Sequence, residues 1–108
     1  MTRKEALAEL IAKVEAGTLV TVDLIIHEPQ ERAWAQRAYG GSLDAAKALH
    51  EAVLPGWVWG CGFDGDDGFG AGVANGGREF VVHGGADNPA RAWLLAILHA
   101  LHSMEPDA

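Results

Sequence analysis

The apolar spacing predicts an α+β fold. It is a single-domain layered sandwich over residues 1–108, with a mostly antiparallel sheet of three to four strands packed with N-terminal, middle and C-terminal helices. Three observations predict it. In Asn88–His102 (NPARAWLLAILHALH), Ala90, Trp93, Leu94, Ile97, Leu98 and Leu101 recur at i, i+3, i+4, i+7, i+8 and i+11, an apolar helix stripe wide enough to face a sheet. Residues 57–63 and 69–73 alternate in strand period around a short acidic turn, Asp64-Gly65-Asp66-Asp67-Gly68. Asn75-Gly76-Gly77 is a hairpin turn signal leading into one more strand. Helices combined with a meander of strands bury their apolar faces by layering.

The elements follow in order. Thr2 and Glu5 form a capping box, and Leu7, Leu10, Ile11 and Val14 stripe a first helix that Gly17 ends. Leu19–Ile26 alternates and is β-branched, which predicts a strand; His27-Glu28-Pro29-Gln30 breaks it. Glu31–Tyr39 forms a short helix ended by Gly40-Gly41. Ser42 caps the next helix, Leu43–Val53, with Asp44 in its first turn complementing the dipole, and Leu54-Pro55-Gly56 stops it. Folding residues 57–73 about the acidic turn sets Phe63 against Phe69, Cys61 against Ala71 and Trp59 against Val73. Gly62 then meets Gly70 and Gly60 meets Gly72 on the other face, which is nearly bare backbone. Such a face suits a closely resting helix, a weak ribbon, or a ligand shelf. Arg78–His83 is the third strand of the meander, and Pro89 opens the last helix behind Asn88 or Asp87 as cap.

With 108 residues, 49% of them hydrophobic, the chain is one globular domain. A single cysteine, Cys61, excludes an internal disulfide, and its mid-strand place on the aromatic face suggests a small core residue. No stretch approaches the roughly 20 apolar residues of a membrane span, and the polar N-terminus does not read as a signal peptide. These features lead us to expect a cytoplasmic protein without membrane association. A net charge of −7 disfavours nucleic-acid binding, although it permits one small anion in a local pocket.

Motifs with dedicated chemistry are few. The acidic turn departs from the EF-hand pattern, with Phe69 where glycine belongs and Asn75 where the final Glu belongs, and it reads as a solvated hairpin tip. His27, His50, His83, His99 and His102 have no zinc-site spacing, so neither a metal nor a cofactor is expected. No nucleophile elbow, P-loop or dinucleotide fingerprint occurs, so no catalytic residue is assigned.

Binding residues are easier to nominate. An aromatic ring beside arginines supplies what a nucleotide needs, a π-face for the base and a fork for phosphate. Trp34, Arg37 and Tyr39 form one such group, Trp57 and Trp59 share a strand face, and Arg78 and Arg91 are the arginines of the C-terminal half. Trp93 sits on the core stripe and defaults to the core. Arg91 lies in the first turn of a helix, where the dipole disfavours a cation; it calls for a partner, either an acidic side chain or a ligand phosphate. Ser42 and Asn88 cap helix N-termini, where backbone N–H groups accept anions. The Gly40-Gly41-Ser42 corner also reads as an ordinary turn between helices.

Ser42–His50, Leu54-Pro55-Gly56-Trp57 and Asn88–Leu98 together resemble a family of small bacteriophage and prophage proteins described as a phage α/β/α-sandwich domain. The resemblance covers about the last two-thirds of the chain and leaves out the glycine-rich segment 60–77. It implies a phage protein acting in an infected bacterial host cell. Small phage domains of this type include anti-defence proteins that sequester nucleotide second messengers, so it implies a non-enzymatic, homo-oligomeric sponge for a cyclic ADP-ribose-type or cyclic oligonucleotide ligand. An acidic protein-binding module that blocks a host defence protein is the alternative. An enzyme that cleaves the messenger through histidines such as His83 or His99 is a third.

Overall fold

Seven elements follow one another in the computed structural model, which describes residues 2–18, 29–64, 68–82 and 88–105. They are α1 (Arg3–Ala16), α2 (Pro29–Tyr39), α3 (Leu43–Val53), β1 (Val58–Asp64), β2 (Gly68–Asn75), β3 (Arg78–Val82) and α4 (Pro89–Met104). The four helices and the antiparallel sheet, ordered β1-β2-β3, make the expected α+β layered fold. The strand expected at 19–26 lies outside the described residues, as do His27, His83, the turn residues 65–67 and the approach to α4 over 84–87.

The helix ends obey local chemistry. Thr2 Oγ1 accepts from the Glu5 N–H at 3.1 Å and its hydroxyl donates to the Glu5 carboxylate at 3.2 Å. Gly17 ends α1 at φ 74°, a left-handed turn that only glycine enters freely. Pro29 opens α2, where the breaker reading had placed it before the helix; proline's fixed φ suits a first helical turn, whose N–H has no partner to lose. Ser42 Oγ and Asn88 Oδ1 accept from Ala45 N–H at 3.1 Å and Arg91 N–H at 2.7 Å, capping α3 and α4.

The hairpin pairs in the predicted register: Trp59 with Val73, Cys61 with Ala71, Phe63 with Phe69, and glycine with glycine between them. On β3, Phe80 faces Val73 and Val82 faces Ala71, so these side chains share one face of the sheet. Ala71 and Val73 are buried there, and Trp59 stacks on Trp93 of α4.

α4 is the axis of the molecule. The sheet covers one side, mainly through β2 and β3, while α1, α2 and α3 pack on the others. Every residue from Ala92 to Leu98 is therefore buried, where one apolar stripe was expected. A helix apolar all round is a core helix, and its alanines at 92, 96 and 100 let neighbouring backbones come close. Leu7, Leu10 and Val14 of α1, Ala35 and Ala38 of α2, and Ala46 and Leu49 of α3 complete the core. An ion pair between Arg3 and Glu105 ties the start of α1 to the end of α4.

Candidate functional site

Four of the nine nominated binding residues, Tyr39, Ser42, Asn88 and Arg91, meet at one corner. The α2–α3 turn follows Arg37 and Tyr39 and leads into Ser42, and it packs against the start of α4. A Cβ added at Gly41 would lie 3.8 Å from the Asn88 amide, so the turn touches the α4 cap. Arg91 reaches back from α4: its Nε donates to the Tyr39 carbonyl at 3.1 Å, and its guanidinium carbon sits 4.1 Å from the centre of the Tyr39 ring. A ring face and a helix-end carbonyl both attract a cation, which offsets the unfavourable dipole at the start of α4. Arg37 is exposed in the last turn of α2 and, two residues before Tyr39, points to the other side of that helix.

The turn itself is no anion nest. The N–H groups of Gly40, Gly41 and Ser42 donate to the carbonyls of Gln36, Ala38 and Arg37 at 3.1, 3.0 and 2.9 Å. Those donors close the C-terminus of α2, which is the ordinary turn chemistry. The cationic group of the corner is therefore a side chain, that of Arg91.

A second cluster lies under the sheet. Among the described residues His50 is the buried polar side chain of the core, at 2% exposure. Trp93 Nε1 donates to His50 Nδ1 at 3.3 Å, and His50 Nε2 lies 3.0 Å from the Trp57 carbonyl. An indole nitrogen only donates and a carbonyl only accepts, so Nδ1 is bare and Nε2 carries the proton. One histidine thus joins α3, α4 and the entry to β1. Trp59 stacks on Trp93 with centroids 4.1 Å apart and planes at 27°, and Trp57 stacks on Phe80 at 6.2 Å. Sequence reading listed His50 only among possible metal ligands. Its position beside Leu49 and four residues after Ala46, on the apolar stripe of α3, is the signal that marks it as core.

The corner and the stack do not form one pocket. Arg91 and Trp93 are two residues apart on α4, and an α-helix turns about 100° per residue, so they point to opposite sides. Arg78 is farther off, exposed at the β2–β3 turn opposite Asn75. Trp34 is half-buried against the core.

The glycine face of the sheet is open. A Cβ built at Gly60 or Gly62 meets nothing within 4 Å, and a shallow concavity of about 350 Å³ lies over Gly60, Gly62, Gly70 and Gly72. No described helix rests on it, against the first of the three readings of this face: α4, the helix that meets the sheet, packs on the other face, mainly beneath β2 and β3. Cys61, expected in the core, is exposed for the same reason, because α4 touches β1 least.

Among the described residues no group of His, Cys, Asp and Glu is arranged to hold a metal ion, and no helix is long and apolar enough to cross a membrane. No protein-family model, curated protein or solved structure matches the chain.

Proposed function

We propose that the protein is a phage-encoded inhibitor of bacterial immunity that binds a nucleotide-derived second messenger, of the cyclic ADP-ribose or cyclic oligonucleotide type, and sequesters it without cleaving it. It does so in the cytoplasm of the infected host as a homo-oligomer. One observation carries this reading: Tyr39, Ser42, Asn88 and Arg91 converge where α3 and α4 both begin. The Arg91 guanidinium beside two helix N-termini makes a local positive field on a chain of net charge −7. Packing of Arg91 on Tyr39 fixes its direction before a ligand arrives, which lowers the entropy lost on binding.

Isothermal titration with a cyclic dinucleotide and with cyclic ADP-ribose tests the assignment. Arg91→Lys keeps the charge, loses the fork, and is expected to weaken binding by about tenfold or more, the loss of one charge-assisted contact. Wild-type affinity in this variant contradicts the assignment.

A second reading has its own observation. Val58 and Val81 stand exposed, at 66% and 45%, beside Glu79 on the open sheet face. An exposed apolar patch with an acidic edge suits a protein partner, which is the blocking-module alternative. Cleavage of the messenger is the remaining alternative. It was expected to use histidines such as His83 or His99; His83 lies outside the described residues and His99 is half-buried on α4.

A further inference from the structure

Trp59 lies on β1, an edge strand of the described sheet, and one face of its indole is stacked on Trp93. Even so, it keeps 45% of its surface exposed. Its support is rigid: Trp93 is 2% exposed and is held by the hydrogen bond to His50, which is held in turn by the Trp57 carbonyl. A planar ring clamped on one face, with close to half of the residue's surface still exposed, is a preorganised stacking surface, and stacking on such a surface costs little ordering of the protein.

From this we infer that the free face of Trp59 binds a planar, uncharged ring system of about the size of a purine base, recognised by stacking and not by charge. The surroundings select that class. Along β1 the next residues on the same face are Cys61 and Phe63, both exposed, and Phe69 stands opposite Phe63, rings 5.2 Å apart. No lysine or arginine occurs from Trp57 to Gly77, so this hairpin offers a phosphate no cationic partner. The row from Trp59 to Phe63 is roughly 13 Å long at strand rise and one strand wide, well short of the about 800 Å² per partner of a standard protein interface. It has room for a ring, not for a protein. The site is independent of the Tyr39–Arg91 corner, since the two lie on opposite sides of α4.

The test follows the four indole N–H signals of the ¹⁵N-labelled protein in NMR, with adenosine, adenosine monophosphate and ribose 5-phosphate as probes. The Trp59 signal is identified by its loss in Trp59→Leu. Adenosine is expected to shift the Trp59 signal most. The monophosphate should bind within about threefold of the nucleoside, with little salt dependence, because no phosphate contact is made here. Ribose 5-phosphate should leave the signal in place. Trp59→Leu should weaken adenosine binding by about tenfold or more, and Trp59→Phe, a smaller ring in the same place, by less. Trp59→Phe also serves as the test if the leucine variant does not fold. An unmoved Trp59 signal at saturating adenosine, or equal affinity in the variants, overturns the inference. If a messenger is nonetheless sequestered, only the platform falls. If adenosine binds as described and no messenger is held, the platform stands without the sponge.

Discussion

Replacing Trp93 with alanine is expected to cost about 3–5 kcal/mol, the range for removing a buried Trp side chain from a core. Small domains hold only about 5–15 kcal/mol in all, so the variant loses a large share of its stability. Three contacts go at once: the packing of α4, the stack with Trp59, and the donor to His50. Trp93→Phe separates them. It keeps most of the apolar contact and leaves His50 Nδ1 without its donor, for an expected loss of about 1–3 kcal/mol. Urea denaturation of the three proteins checks the order, wild type above phenylalanine above alanine. A phenylalanine variant as stable as wild type would show that the indole N–H contributes nothing.

His50→Phe is the second large effect. The substitution leaves two polar groups, the Trp93 N–H and the Trp57 carbonyl, without their partner. The first is buried and the second half-buried, and the expected loss is about 2–3 kcal/mol, or roughly 10 °C or more in melting temperature for a domain of this size. Thermal denaturation followed by near-ultraviolet dichroism measures it. The ring nitrogens supply an independent check by ¹⁵N NMR, with a proton on Nε2 and a bare Nδ1. The opposite tautomer would mean that Trp93 does not donate to His50.

Much of the fold was legible because it rests on local chemistry. The cap residues Thr2, Ser42 and Asn88, the stop at Gly17 and the β1–β2 register are set by spacings of a few residues. What misled was tertiary. Periodicity shows that α4 has an apolar stripe; it does not show how many neighbours surround the helix, and here they enclose nearly all of it. Alternation shows that Cys61 and Trp59 share a face, but not that α4 lies beneath β2 and β3 and leaves β1 partly bare. The Gly40–Ser42 corner offered donors to an anion, yet the end of α2 takes them.

The candidate site was legible as residue types and not as a place. Pairing arginines with aromatics nominated seven residues and helix N-termini two more, and long-range packing divides them. The carbonyl of Tyr39 meets Arg91 across 52 positions, a contact that no sequence spacing encodes. The buried histidine escaped notice because a lone His carries no period of its own.

Incubating the purified protein with a panel of nucleotide messengers, removing it by filtration, and releasing any bound ligand by heat tests the central claim most directly. The account predicts that one messenger disappears from the filtrate and returns intact after denaturation. Recovery as fragments would contradict it in favour of an enzyme, and no depletion of any messenger would contradict it in favour of the protein-binding reading.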